Sequence, residues 1–149
     1  MKKLLKFLYS QYKIETSLQL GPDPDVTAYL EEKSLFNVQM VQSLDYIKEN
    51  LIEEQITNYE YYESMTDFLY FLDNRVFDLV VIPYLEDYDL VYNALNTLKS
   101  QKNHFILIDL RNKVSLASNK GYNKVDFGEY ALLQFDMVND FKDKGFNGE

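Results

Sequence analysis

The sequence has no cysteine and no tryptophan, and it contains a single histidine, His104. Without cysteine the chain can form neither a disulfide scaffold nor a thiolate metal site, and it has no cysteine nucleophile. A zinc site built from cysteine and histidine is excluded, and a hydrolase triad would have to use His104 as its base. Because His104 stands at the start of an apolar segment, we expect it at the amino end of a strand. Sites in α/β sheets form at the carboxyl ends, so a catalytic role for His104 is disfavoured.

Glycine, proline and long hydrophobic runs are also scarce, with five glycines and three prolines in 149 residues. No glycine is followed by the lysine and hydroxyl residue of a phosphate-binding loop, which disfavours a nucleotide site of that type. The apolar start of the chain is interrupted by Lys6 and lacks a small-residue cleavage site, so it is not predicted to be a signal peptide. No segment is long enough to span a membrane. We predict a cytoplasmic protein with no membrane insertion, no cofactor and no bound metal.

Acidic residues outnumber basic ones by 24 to 15, which gives a net charge of -9. The broad basic surface typical of nucleic-acid-binding proteins is therefore absent, and we expect no nucleic-acid partner. The hydrophobic fraction of 46% and the charged fraction of 26% are typical of a globular chain. The length corresponds to one domain, which we predict over residues 1–149.

Two continuous apolar runs rich in β-branched residues occupy residues 77–83 and 104–110. Such runs are typical of strands buried on both faces, as in a parallel sheet. Between them, residues 89–99 place apolar side chains on one helical face, with Asp87 or Asp89 as the N-cap. This order predicts a right-handed βαβ unit with its two strands side by side.

The alternation of strands and helices extends in both directions along the chain. Residues 55–62 alternate as a strand, and Ser64 followed by Asp67 predicts the start of a helix. Further along, residues 130–135 predict a last strand and residues 136–144 a last helix, whereas residues 112–128 are predicted to form a long loop.

The first fifty residues allow more than one interpretation. The first strand is either residues 3–9 or residues 14–20, where apolar and polar side chains alternate, and both strands can coexist. Apolar positions from Val26 to about Glu53 predict helix, and that length favours a break near Ser34.

Residues 55–110 resemble the receiver domain of response regulators, through the segment Phe77–Pro83 and the helix and strand that follow it. The resemblance implies an α/β three-layer sandwich with a mostly parallel five-stranded sheet of flavodoxin-like type. It also places a phospho-acceptor aspartate at the end of the third strand, where this chain has Pro83. Because phosphoryl transfer needs an acceptor oxygen and a positioned metal, the resemblance implies an atypical, non-catalytic pseudo-receiver.

The resemblance therefore implies a regulatory, protein-binding domain, with a basic protein surface or an ATPase as its partner and a homodimer as an allowed state. Tyrosine is enriched in the middle of the chain, and tyrosine is a frequent interface residue. Two alternatives stay open: a small flavodoxin-like enzyme that binds a cofactor or metal, and an acidic inhibitor of a basic protein. The predicted interaction surface comprises Tyr84, Glu86, Asp87, Tyr88, Tyr92, Asp109 and Arg111.

Overall fold

Seven strands and five helices make up the computed structural model, which describes residues 1–116 and 121–135. The strands are β1 (Thr16–Leu20), β2 (Phe36–Val41), β3 (Tyr59–Tyr61), β4 (Leu79–Ile82), β5 (Phe105–Asp109), β6 (Tyr122–Phe127) and β7 (Tyr130–Phe135). The helices are α1 (Lys2–Gln11), α2 (Pro24–Lys33), α3 (Leu44–Tyr46, continued by a π-helical turn over Ile47–Ile52), α4 (Met65–Leu72) and α5 (Tyr88–Ser100).

All seven strands belong to one mixed sheet with the order β3-β2-β1-β4-β5-β7-β6. The first five strands are parallel, whereas β7 is antiparallel to both β5 and β6. The chain winds outward from β1 to β3 on one side and then crosses to β4 and β5 on the other. The crevice between β1 and β4 is therefore the point where the winding reverses, which is where ligands bind in open α/β sheets.

Helices cover the sheet on both faces, so the fold is an α/β three-layer sandwich. One face packs against α4 and α5 through side chains such as Leu18, Val80 and Ile106. The opposite face packs against α1 and α2 through side chains such as Val81 and Leu107. Because successive side chains of a strand point to opposite faces, strands β4 and β5 are buried on both.

The predicted βαβ unit is confirmed. Strands β4 and β5 are adjacent and parallel, and Val81 pairs with Leu107. The predicted helix starts are confirmed as well. The Ser64 hydroxyl accepts a hydrogen bond from the Asp67 amide at 3.2 Å, and the Asp87 carboxylate accepts one from the Leu90 amide at 3.1 Å.

The interpretation of the first fifty residues was partly wrong. Residues 3–9 belong to helix α1, since Leu5, Leu8 and Tyr9 are buried at helical spacing. Residues 14–20 do contain a strand, and α2 does end at Lys33, before the predicted break near Ser34. Strand β2, however, lies inside the segment assigned to helix. Its polar residues Asn37 and Gln39 are buried, which hid the alternation expected of a half-exposed strand.

The five-stranded, receiver-like sheet is also wrong. Receiver and flavodoxin-like sheets are parallel with the order 2-1-3-4-5, whereas this sheet has an antiparallel β6–β7 hairpin at one edge. Part of the predicted loop over residues 112–128 forms strand β6. Because β2 was missed, Pro83 was placed after the third strand although it follows the fourth, so it does not occupy a phospho-acceptor position. The helix predicted over residues 136–144 lies outside the described residues.

Among the described residues, no helix combines the length and the apolar character that a membrane span would need.

Candidate functional site

The turn between β1 and α2 forms one wall of the crevice at the carboxyl edge of the sheet. Gly21 follows β1 directly and has a φ of +117°, a conformation that side-chain-bearing residues rarely adopt. Asp23 then caps α2, since its carboxylate accepts a hydrogen bond from the Val26 amide at 3.3 Å. Pro24 occupies the first turn of the helix, where its missing N–H costs no hydrogen bond.

The side chain of Gln19 is fully buried and stabilises this turn through hydrogen bonds. Its Nε2 atom donates to the Gly21 carbonyl at 2.8 Å and lies 3.3 Å from the Asp23 carbonyl. Its Oε1 atom accepts from the Thr27 hydroxyl at 2.9 Å, so the same amide also ties the turn to the first turns of α2. The main chain from Gly21 to Asp23 is thereby fixed before any ligand binds.

Further buried polar side chains lie beneath α2, next to Gln19. Gln39 on the neighbouring strand donates from Nε2 to the Thr27 hydroxyl at 2.7 Å. Its Oε1 atom is buried and has no hydrogen-bond partner among the described residues. Burial raises the pKa of Tyr46, and a hydrogen bond to Thr27 partly opposes that shift. Hydrogen bonds between buried side chains therefore join α2 to β1 and β2, beside the apolar contacts that α2 makes through Val26 and Leu30.

The segment that follows β4 forms the facing wall. A Leu85 methyl carbon, Cδ2, lies only 2.3 Å from the position that a Cβ atom on Gly21 would take, so the leucine packs directly against the glycine. Asn112 fixes this segment, because its Nδ2 donates to the Pro83 carbonyl at 3.1 Å and its Oδ1 accepts from the Leu85 amide at 2.9 Å. Asn112 is buried, and its Nδ2 also donates to the Asp109 carbonyl at 2.8 Å.

A charge pair lies where β5 ends at the same edge. The Arg111 guanidinium donates to both carboxylate oxygens of Asp109: Nε lies 3.1 Å from Oδ1, and Nη2 lies 2.6 Å from Oδ2. Burial by itself would raise the pKa of Asp109, but the hydrogen bonds and charge of Arg111 outweigh it and hold that pKa below its usual range. The guanidinium carbon of Arg111 also lies 5.1 Å from the centre of the Tyr84 ring, within range of a cation–π contact.

A cavity of about 360 Å³ opens at this edge between α1, the start of α2 and β7. Its lining comprises Met1, Lys2, Leu5, Asp23, Asp25, Val26 and Tyr130. Burial raises the pKa of Tyr130, and the carboxylates of Asp109 and Glu129 add to the shift. The phenol therefore stays protonated at neutral pH. Two larger cavities, of about 430 and 420 Å³, lie beside α4 and beneath α3 and are not lined by the Gly21 turn.

The structure brings together part of the interaction surface predicted from the sequence. Tyr84 contacts Arg111, and Arg111 pairs with Asp109, as described above. Tyr88 and Tyr92 are stacked in parallel on α5, with ring centres 6.1 Å apart. The remaining two predicted residues do not converge with these: the Asp87 carboxylate caps α5, and Glu86 is exposed.

The described residues include no group of three histidine, aspartate or glutamate side chains arranged to hold a metal ion. His104 lies at the opposite, amino-terminal edge, as expected, where its Nδ1 is 3.3 Å from an Asp78 carboxylate oxygen.

Sequence reasoning missed the residues that build the crevice itself. Gly21 was given no functional role, Gln19 belongs to the alternating residues 14–20 that were predicted as a strand, and Asn112 stands at the start of the predicted loop over residues 112–128. A glycine directly after a strand and before a capped, proline-containing helix start was the available signal for the turn. Nothing in the local sequence indicates that Gln19 and Asn112 are buried.

Comparison with solved structures identifies the fold. No protein-family model matches the chain, and no curated protein matches it. The N-methyltransferase NodS from Bradyrhizobium japonicum WM9, solved with S-adenosyl-L-homocysteine, is similar over 89% of this chain and 82% of its own, with a TM-score of 0.61 and 16% identity. An rRNA methylase from Streptococcus thermophilus is similar over 89% of this chain and 94% of its own, with a TM-score of 0.60 and 11% identity. The ribosomal protein L11 methylase from Lactobacillus delbrueckii subsp. bulgaricus is similar over 81% of this chain and 68% of its own, with a TM-score of 0.52 and 19% identity.

These similarities overturn the pseudo-receiver prediction and the non-catalytic, regulatory function derived from it. That function rested on positions of a receiver sheet that this chain does not form. The flavodoxin-like enzyme and the acidic inhibitor do not fit this fold either. The chain shares its fold with these methyltransferases, a Rossmann-like α/β sandwich with a mixed seven-stranded sheet.

Proposed function

We propose that this protein is an S-adenosylmethionine-dependent methyltransferase and that its cofactor binds in the crevice between the β1–α2 turn and the segment after β4. The observation that carries the proposal is the position of Gly21. A glycine with positive φ follows the first strand at the reversal point of the sheet, and a capped helix begins directly after it. Turns of this kind let the main chain approach a bound nucleoside closely.

The charges at the turn support a cofactor without phosphate groups. Dinucleotides place their pyrophosphate on free N–H groups at the start of the helix after β1. Here Pro24 lacks that N–H, the Val26 amide is already bonded to Asp23, and Asp25 adds a second carboxylate. These groups would repel phosphate. S-adenosylmethionine has no phosphate and carries a positively charged sulfonium and ammonium. The carboxylates of Asp23 and Asp25, which we call the acidic wall, therefore suit it.

The residues directly after β2 also suit a bound nucleoside, although they differ from the carboxylate usually found there. Nucleoside sites on related sheets use a carboxylate about 20 residues after the glycine turn to bind the ribose hydroxyls. In this chain Gln42 and Ser43 stand at that place, and both are exposed. The Gln42 amide can donate to and accept from a ribose diol without the charge of a carboxylate. The Ser43 hydroxyl already accepts a hydrogen bond from the Tyr46 amide at 3.1 Å, so it is the donor of the two.

Each part of the chain has a distinct role in this proposal. The bound cofactor supplies an electrophilic methyl group. The Gly21 turn and Gln42 would bind its adenosine part, and Asp23 and Asp25 would face its ammonium group. Leu85 excludes water from beneath the turn.

Titration with S-adenosyl-L-homocysteine, followed by isothermal calorimetry, tests the proposal. We expect the wild-type protein to bind this compound and not ADP, whose phosphates the acidic wall would repel. Asp23→Asn should weaken binding about fivefold, because an asparagine keeps the helix cap but removes a charge worth roughly 1 kcal/mol. Asp73→Asn removes an equal charge from an exposed carboxylate at the end of α4, outside the crevice, and should leave binding unchanged. Binding of ADP in preference to S-adenosyl-L-homocysteine, or no binding of either, would contradict the proposal.

A further inference from the structure

Three exposed tyrosines lie beside the crevice, at the end of β4 and on the first turns of α5. Tyr84, Tyr88 and Tyr92, which we call the aromatic face, are 43%, 51% and 47% exposed. Tyr88 and Tyr92 stack with an angle of 13° between their rings, so the two side chains form one aromatic pair. Tyrosines exposed together in this way are typical of binding surfaces, because each ring contributes a large contact area at a low cost in conformational entropy.

The segment that carries the aromatic face has only acidic charges. From residue 83 to residue 98 the chain contains Glu86, Asp87 and Asp89 and no lysine or arginine. The neighbouring Arg111 is held against Asp109 by hydrogen bonds to both carboxylate oxygens, so the two charges cancel locally. Negative charge around aromatic rings attracts cations and repels nucleic acid and acidic proteins.

The protein itself shows that one of these rings accepts a cation. The guanidinium carbon of Arg111 lies 5.1 Å from the centre of the Tyr84 ring. A tyrosine face attracts a guanidinium or ammonium group through its quadrupole, and the acidic rim strengthens that attraction. Tyr88 and Tyr92 offer the same chemistry.

We infer that the aromatic face binds a lysine- and arginine-rich segment of another protein. The segment would lie across Tyr88 and Tyr92, with its positive charges beside Glu86 and Asp89. Leu85, which follows Tyr84 directly, touches Gly21 at the floor of the crevice, so a bound segment would lie next to the proposed cofactor site. That a side chain of this segment is the methyl acceptor rests on the proposed function, whereas the docking itself does not.

Fluorescence anisotropy with a labelled peptide of alternating arginine and glycine tests the docking. We expect the wild-type protein to bind the peptide, with an affinity that falls as salt is added because the rim charges are exposed. Replacing both stacked rings, Tyr88→Ala with Tyr92→Ala, should weaken binding about tenfold, the combined effect of losing two exposed cation–π contacts. The corresponding double phenylalanine variant keeps the ring faces and should bind within about twofold of the wild type.

Tyr70→Ala provides the matched control, because Tyr70 is 82% exposed on α4, outside the aromatic face. This variant should bind the peptide like the wild type. The inference fails if the wild type does not bind, if the double alanine variant binds equally well, or if a glutamate–glycine peptide binds as tightly. It also fails if the double alanine change abolishes self-association while peptide binding is absent, since the face would then join two copies of the chain.

Titration of the same preparations with S-adenosyl-L-homocysteine separates this inference from the proposed function. Peptide binding without S-adenosyl-L-homocysteine binding supports the docking surface and contradicts the methyltransferase proposal. S-adenosyl-L-homocysteine binding without peptide binding contradicts the docking surface alone.

Discussion

Replacing Gly21 with alanine tests how closely the two walls of the crevice are packed. The new Cβ atom would meet Leu85 Cδ2 at 2.3 Å, far inside normal contact distance. It would also have to accept a φ of +117°. The backbone strain costs about 1–2 kcal/mol, and the overpacking about 1–3 kcal/mol because Leu85 is only partly buried and can shift. We therefore expect a loss of about 2–5 kcal/mol, or a fall of roughly 5–15 °C in Tm for a chain of this length.

Two further variants separate the cost of the backbone strain at Gly21 from the cost of the steric overlap with Leu85. Gly128 also has a positive φ, +70°, but nothing lies within 4 Å of the position its Cβ would take. Gly128→Ala should therefore cost only the strain, about 1 kcal/mol. Combining Gly21→Ala with Leu85→Ala removes the overlap, so we expect the double variant to be about 1–3 kcal/mol more stable than additivity predicts.

Urea unfolding followed by circular dichroism measures the wild type, the three single variants Gly21→Ala, Gly128→Ala and Leu85→Ala, and the double variant on one scale. Equal losses for the two glycine variants would refute the reasoning, as would strictly additive losses for Gly21→Ala and Leu85→Ala. Either result would mean that Leu85 does not pack against the turn in the folded protein.

Other buried groups give further expected outcomes. Asn112→Ala should lower stability by about 2–3 kcal/mol in urea unfolding, because it leaves the Leu85 amide and two carbonyls unpaired. Gln39→Leu should change stability by less than about 1 kcal/mol, because the lost bond to Thr27 is offset by removal of an unpaired buried oxygen; a loss as large as that of Asn112→Ala would contradict this. Burial raises the pKa of Tyr122 well above that of a free phenol, so its contribution to stability is complete below pH 10 and is lost as the pH rises further. Tyr122→Phe should therefore flatten the alkaline side of a plot of Tm against pH, and an unchanged slope there would contradict the assignment.

The parts of the fold that the sequence predicted are those with a strong local signal. Strands β4 and β5 carry uninterrupted β-branched runs, and their adjacency follows from the helical stripe between them. The starts of α4 and α5 were predicted because Ser64 and Asp87 are side chains whose capping geometry depends only on neighbouring residues.

The errors have a common physical cause. Asn37 and Gln39 look like solvent-facing positions, yet α2 covers them. Asn37 Oδ1 accepts a hydrogen bond from the buried Ser17 hydroxyl, and Gln39 Nε2 donates one to the buried Thr27 hydroxyl. Without that knowledge β2 could not be distinguished from helix. Because β2 was missed, every later strand was numbered one position too early, and the receiver resemblance followed from that numbering.

For the candidate site, the sequence placed Tyr84 and Asp109 correctly at one edge, because parallel strands end together. It did not connect Gly21 with Leu85 or Asn112, which lie far apart along the chain.

The sequence by itself determined that β4 and β5 are buried strands, where two of the helices start, and that the chain lacks the groups for thiol or zinc chemistry. Those properties depend on residue type and on periods of two or 3.6 residues, which a chain carries locally. Only the tertiary structure decided the order of the strands, the antiparallel β6–β7 hairpin, and the contact between Gly21 and Leu85. Strand order depends on which distant segments pair, and that is set by burial summed over the whole sheet rather than by any local pattern.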